Sequence, residues 1–256
     1  MNESCLLAGD WLYPLAQQQG GVAYWTLGVD GGPLASQGGR GIVNLDTALI
    51  GLRAASLGNR RPVVAVGSNA APGQLRQKFA DRQVSDVVPL TRATVRGLTV
   101  GHSAHVSAAG YVPYIPLAAP EHVVSEFYVL WLDDLQLERL NETEPNYELV
   151  TVTGDRYPLT LDSGERVTPY GMYRGRWGAL RLGSGSAPVG ATTQEELFSL
   201  LLEVPLLREL GVPPSGDVQA VTRALVNGDR GAFRLALLIH GLSVADGLEP
   251  PFSDKD

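Results

Sequence analysis

Pro62-Val63-Val64-Ala65-Val66 runs straight into Gly67-Ser68-Asn69, and this junction decides the fold. A short apolar run without polar alternation is the pattern of a buried strand, and the glycine stops it dead. Pro72-Gly73-Gln74-Leu75-Arg76-Gln77-Lys78-Phe79 then reads as a helix with proline in its first turn. The unit is strand, tight turn, helix. Such a junction gathers successive backbone N–H groups and the positive end of a helix dipole around one concavity. Gly67, Ser68 and Asn69 are therefore candidates for holding a carboxylate or an oxyanion. An ordinary tight turn accounts for the same local pattern.

Downstream, Thr94 to Ser107, Tyr111 to Pro116 and Val123 to Leu132 are rich in valine and aromatics and read as strands of a sheet. Asp133 with Gln136 forms a capping box, so a short helix is expected to about Leu140, with Leu137 and Leu140 facing the core. Glu144 follows, and Pro145 drives it out of helical into extended geometry. A carboxylate held just past a helix end can be aimed into a pocket, which makes Glu144 the candidate acid/base; the plain alternative is a solvated surface glutamate. From Tyr147 to Thr153 the chain reads as a strand, with a hairpin through Gly154-Asp155 or Asp162-Ser163-Gly164 leading to Met172-Tyr173.

The flanks differ in character. Residues 1 to 60 are broken by Gly20-Gly21, Gly31-Gly32 and Gly38-Gly39, with one helix expected from about Asp46 to Gly58. Gly183-Ser184-Gly185-Ser186 reads as a flexible joint. Beyond it, Thr193 with Glu196 is a second capping box, and Val218 to Val226 and Gly231 to His240 carry apolar residues at helical spacing. The expected organisation is an N-terminal extension (1–60), a central domain (61–182) and a C-terminal helical segment (183–256).

Composition narrows the function classes. A chain of 256 residues, 44% hydrophobic and 18% charged, can bury a substantial core. A net charge of −7 with no basic cluster argues against nucleic acid or an anionic membrane as partner. Cys5 is the only cysteine, which excludes an internal disulfide and thiolate zinc sites. The N-terminal residues lack the basic start and apolar run of a secretory signal, and Leu197 to Leu210 is too short and too interrupted to span a bilayer, so a cytoplasmic protein is expected. His102 and His105 fall on opposite faces of a β-rich stretch and read as strand-end or loop residues rather than metal ligands. His122 and His240 are isolated, and Ser68 lacks the Gly-x-Ser-x-Gly context of a nucleophile.

Taken in order, Val63 to Asn69, Gly110-Tyr111-Val112-Pro113, Phe127-Tyr128-Val129-Leu130 and Leu140-Asn141-Glu142-Thr143-Glu144-Pro145-Asn146-Tyr147 resemble the γ-glutamylcyclotransferase family over about residues 61 to 175. The resemblance implies a small mixed α/β (α+β) barrel-like fold, here with an N-terminal extension and C-terminal helices. It implies that Glu144 is the acid/base, that Gly67, Ser68 and Asn69 bind substrate, and that Tyr147 orients the glutamate, while Glu142 falls out of register. Val66 stands where the family usually has tyrosine, Asn141 where it has aspartate, and Ser125 where a glycine commonly precedes the strand ending in Phe127-Tyr128. The implied reaction is attack of the α-amine of a γ-glutamyl group on its own γ-carbonyl, releasing an amine and 5-oxoproline without metal or organic cofactor. The rival expectation is a non-catalytic member of the same fold that binds a small molecule or, through its flanks, another protein.

Overall fold

The computed structural model describes residues 11–12, 17–18, 21–22, 25–26, 33–36, 42–44, 49–80, 84–85, 87–183, 185–204, 217–250 and 252–253. Cys5 and Asp46 lie outside them. The chain folds as two compact units that interleave along the sequence: Met1–Gly97, Pro120–Tyr173 and Pro250–Asp256 make the first, Leu98–Ala119 and Arg174–Glu249 the second.

In the first unit the apolar run is a strand, β1 (Arg61–Ala65), with Val63, Val64 and Ala65 buried. It becomes the centre of an eight-stranded sheet built from β2 (Leu90–Arg96), β5 (Val124–Leu132), β6 (Tyr147–Val152), β7 (Leu159–Leu161), β8 (Arg166–Val167), β9 (Tyr170–Gly175) and β12 (Phe252–Ser253). The order is β8-β7-β2-β5-β1-β9-β6-β12. β1 lies antiparallel to β5, with Leu130 opposite Val63, and parallel to β9, with Gly171 opposite Val63. Val63, Val64 and Ala65 are consecutive and all buried, so both faces of the strand are covered, which is why the run needs no polar alternation. Pro62 sits at the second position of β1, close enough to the strand start for its missing N–H to be tolerated.

Two helices cover this sheet. α1 (Pro72–Phe79) has proline at its first position and buries Leu75 and Phe79. α2 (Asp134–Thr143) starts at the expected box: Asp133 accepts from the N–H of Gln136, and the Gln136 side chain accepts from the N–H of Asp133. Leu137 and Leu140 join Val63, Ala65, Leu75, Phe79, Val88, Leu90, Leu130 and Leu132 in one core. A buried polar group fixes the start of α2. Gln136 is fully buried, donates to the carbonyls of Ser85 and Val87, and accepts from the guanidinium of Arg60, which also donates to the carbonyls of Ala55, Val87 and Trp131.

The mixed α/β architecture expected from the sequence is thus present, and the hairpin between β7 and β8 turns through Asp162-Ser163-Gly164, one of the two candidates, with Gly164 at φ +88°. β5 runs from Val124 to Leu132, within a residue of the strand expected over Val123 to Leu132, and Ser125 lies inside it. Local detail differs elsewhere. α2 runs three residues past Leu140, to the last position that Pro145 permits. Of the helix expected from Asp46 to Gly58, the described part is one turn at 49–51, closed by Arg53 in the left-handed region (φ +55°) with the Ala54 N–H on the carbonyl of Leu49; Gly58 lies within a 3-10 turn. Residues 11–44 contribute short strands, four of which (Trp11–Leu12, Trp25–Thr26, Pro33–Ser36, Ile42–Asn44) pair antiparallel in that order.

The second unit carries the antiparallel pair β3 (Leu98–His102) and β4 (Tyr114–Ala118), the pair β10 (Ala179–Leu180) and β11 (Ser243–Val244), and helices α3 (Gln194–Leu202), α4 (Val218–Asn227) and α5 (Arg230–Ile239). The Thr193/Glu196 box caps α3 as read, and α4 and α5 match the expected periodic segments to within a residue. Their buried faces, Leu197, Phe198, Leu201, Val221, Leu225, Phe233 and Leu237, share a core with Ala104, Val106, Val112, Leu180 and Leu242. At the expected joint Ser186 donates to the carbonyl of Gly183 from its N–H and its hydroxyl, the latter at 2.8 Å.

Candidate functional site

Glu144 ends α2 as its C-cap, with φ −117° and ψ 52°, neither helical nor fully extended. Its N–H donates to the carbonyl of Asn141, and its own carbonyl accepts from the N–H of Tyr147. That clamp on both sides fixes the backbone and turns the side chain inward, where Glu144 is only 9% exposed.

The turn after β1 is a 3-10 helix, Gly67–Ala70, entered from an extended Val66. Gly67 has φ +61°, a conformation costly for any residue with a Cβ, so the abrupt end of the strand depends on this glycine. Asn69 is buried in the turn. Its side-chain amide donates to Oε1 of Glu144 at 3.0 Å, across 75 residues of sequence. The two candidate motifs therefore meet directly.

A third residue joins them. The Lys78 ammonium donates to Oε1 of Glu144 at 2.5 Å and to Oδ1 of Asn69 at 2.7 Å. Lysine, asparagine and glutamate thus close a triangle, with the Lys78 and Glu144 side chains 15% and 9% exposed. Lys78 lies in the helix expected over Pro72 to Phe79, and its sequence context alone assigns it no role. The available signal was its position three residues after Leu75 and one before Phe79, which puts it on the buried stripe of α1. Arg139 fastens the same corner by donating to the carbonyl of Lys78 at 2.8 Å, and it pairs with Glu142. Glu142 is exposed and takes no part in the triangle.

The remaining candidates fall around this centre. Tyr147 reaches Glu144 through its backbone, while its side chain packs, as those of Tyr128 and Leu149 do, against the apolar core. Asn141, in the last turn of α2, accepts from the Tyr173 hydroxyl at 2.7 Å. Burial, and next the carboxylate of Glu144, push the Tyr173 hydroxyl upward in pKa, so it is held as a neutral donor. Ser68 contributes its carbonyl to the N–H of Ala71. The chemical content of the site is a carboxylate with a cation and an amide against it, next to a turn whose geometry rests on a left-handed glycine.

The histidines lie elsewhere, in the second unit. His102 is fully buried at the end of β3; Nε2 accepts from the Thr192 N–H at 3.3 Å, which assigns the proton to Nδ1, facing the Val112 carbonyl at 3.3 Å. Burial lowers its pKa. His105 sits in the following loop with Nδ1 2.7 Å from the Ser103 hydroxyl, and burial, then the charge of Arg234, lower it to about 4. Both are the strand-end and loop residues anticipated. Among the described residues no group of three or more His, Cys, Asp or Glu side chains is arranged to hold a metal ion, and no helix is long and apolar enough to cross a membrane.

No family model matches the sequence, and no curated protein does. Solved structures do resemble the chain. They include a solution structure of an Arabidopsis thaliana protein (17% identity, 59% of this chain and 88% of that one, TM-score 0.37). A γ-glutamyl cyclotransferase is similar at 12% identity, over 66% and 88% of the two chains, with TM-score 0.37. A γ-glutamyl cyclotransferase specific to glutathione from yeast is similar at 14% identity, over 71% and 97%, with TM-score 0.32.

Proposed function

We propose that the protein is a γ-glutamylcyclotransferase-like enzyme of the cytoplasm that cyclises a γ-glutamyl amide to 5-oxoproline and releases an amine. The observation that carries this reading is the direct contact between Glu144 and Asn69 of the Gly67-Ser68-Asn69 turn, at 3.0 Å and nearly shielded from water. The nucleophile and electrophile belong to one substrate, so proximity is supplied by the molecule itself. What the protein must add is proton transfer and charge stabilisation.

Glu144 takes a proton from the α-amine as its nitrogen attacks the γ-carbonyl carbon. As the C–N bond to the leaving amine breaks, Glu144 returns that proton to the departing nitrogen. The N–H groups of Gly67, Ser68 and Asn69 receive the carboxylate or developing oxyanion of the substrate. Lys78 supplies positive charge at the same place and holds the carboxylate in one position before substrate arrives. Tyr147 acts through the backbone, by fixing the carbonyl of Glu144. No step requires a metal or an organic cofactor.

A non-catalytic binding protein of the same fold is the second reading, favoured by the ion pair that already satisfies Oε1 of Glu144 and by Val66 in place of the tyrosine expected before the turn. The separating experiment is 5-oxoproline release, measured by mass spectrometry, from a panel of γ-glutamyl amino acids and amines with wild type and Glu144→Gln. Release by wild type that the variant loses establishes the enzyme and identifies the leaving amine. Saturable binding of panel members by a folded protein, without release, establishes the second reading.

A further inference from the structure

The second unit has an open cavity of about 760 Å3 between α5 and the antiparallel pair β10–β11. This is within the range of roughly 300–1,000 Å3 that small-molecule sites occupy. Its walls are apolar: Trp177 and Val244 on one side, Leu235 and Leu238 of α5 on the other. The two leucines are 54% and 62% exposed, far more than the amphipathic pattern of a covered helix calls for. Among the described residues two cations, Arg176 and Arg234, line the same cavity, and no acidic side chain does. That local sign is the reverse of the whole chain, whose net charge is −7.

Arg234 is held in a particular way. Its guanidinium carbon lies 3.6 Å from the centroid of the Trp177 ring. Stacking occupies the face of a guanidinium and leaves its N–H edge for in-plane, two-pronged pairing with a carboxylate. The ring thus removes much of the side-chain freedom that a surface arginine would lose on binding an anion. A preorganised cation beside leucine and valine walls is complementary to a ligand with one anionic head and an apolar body.

We propose that this cavity binds an amphipathic carboxylate, a small molecule with a single carboxylate on an aliphatic body. The head pairs with Arg234, in the positive field that Arg176 adds to the cavity wall, and the body lies along Leu235, Leu238 and Val244. The inference is independent of the chemistry assigned to Glu144, since none of that triangle lines this cavity.

The test uses three soluble probes of equal length, octanoate, octanol and octylammonium, titrated into the full-length protein and followed by calorimetry and by methyl chemical shifts of Leu235, Leu238 and Val244. Octanoate is expected to bind at least about tenfold more tightly than octanol, the effect of a charge-assisted hydrogen bond in a partly desolvated site, and octylammonium more weakly still. Arg234→Gln removes the preference of octanoate over octanol. Leu238→Ser, at an exposed position where folding is not at stake, weakens octanoate and octanol alike. Equal affinity for the three probes, a preference that survives Arg234→Gln in a variant with wild-type circular dichroism, shifts confined to other residues, or no saturation up to the solubility limit would each overturn the proposal.

Discussion

Glu144 and His105 are both withdrawn from solvent, at 9% and 4% exposure, yet the protein treats them in opposite ways. Glu144 faces the ammonium of Lys78 and the amide of Asn69. His105 faces the Ser103 hydroxyl, and burial, then the charge of Arg234, keep it neutral, with its pKa lowered to about 4. His102 follows His105: buried, neutral, and engaged at both ring nitrogens. A neutral imidazole with its hydrogen bonds filled is a structural device. An ion pair near the interior is costly to assemble and is weak evidence for stability, so its presence calls for another account. The difference teaches where chemistry is to be sought: in the first unit, at the triangle.

The sharpest way to break that contrast is Glu144→Gln. General acid–base catalysis by a positioned side chain contributes about 10²–10⁴-fold. The substitution should therefore lower kcat for 5-oxoproline release by at least about 100-fold, with KM changed much less. The amide can still accept from Asn69 and from Lys78, whose ammonium keeps some solvent contact, so the thermal midpoint should fall, but by less than in Lys78→Met. Loss of activity with a collapse of the midpoint would instead place Glu144 beside the histidines as a structural group.

Lys78→Met comes next. Removing one partner of a buried pair leaves the other uncompensated, at a cost of about 3–5 kcal/mol for a fully buried pair and toward the lower end for one that retains some solvent contact. Urea denaturation should show a loss of about 3 kcal/mol. The double variant Lys78→Met/Glu144→Met should recover part of it, because two apolar side chains then pack where two charges stood while the buried Asn69 amide loses both partners. If the double variant is no more stable than Lys78→Met, the two charges are not coupled and the triangle is not the unit described.

The histidines give the converse test. For His105 the folded pKa lies below the unfolded value, so the native state binds fewer protons than the unfolded one as pH falls from about 6.5 to about 4. Its contribution is fully present above the unfolded pKa and is lost across that interval, amounting to up to about 3 kcal/mol. His105→Asn keeps an acceptor for Ser103 and cannot titrate. The pH dependence of the urea midpoint between pH 6.5 and 4 should flatten in this variant, with the residual slope owed to His102, whose pKa is also lowered. An unchanged slope would show that His105 is already charged or solvated in the native state.

Much of the frame could be read from residues whose effect is local. The run Val63-Val64-Ala65 specifies a buried strand by having no polar face, and Asp133 with Gln136, like Thr193 with Glu196, specifies a helix start by reciprocal hydrogen bonds within four residues. Contacts between distant segments were beyond such reading. Arg60 is buried because carbonyls of Ala55, Val87 and Trp131 and the amide of Gln136 converge on it, and nothing near Arg60 in sequence announces them. The interleaving of the two units depends on pairings such as β9 beside β1, which local propensity does not encode. At the site, the turn and Glu144 were legible as motifs. Lys78 was hidden because a lysine on a short helix is usually solvated, and only its place on the Leu75 and Phe79 stripe distinguishes it.

The smallest effect belongs to Gly67→Ala, and it separates the two uses of the turn. Gly67 holds φ +61°, where an alanine costs about 1–2 kcal/mol relative to its ordinary backbone regions. If the turn serves only to end β1, that loss of stability is the whole consequence, and kcat/KM at a temperature well below unfolding stays within about twofold of wild type. If the N–H groups of Gly67, Ser68 and Asn69 receive the charge of the substrate, relaxing φ also tilts them away from it. Removing one such donor costs about 10²–10³ in rate, so tilting without removal should cost roughly tenfold. Measuring stability and kcat/KM on the same preparation decides between them: a rate loss much larger than the stability loss assigns the turn to catalysis, and equal modest losses assign it to the fold.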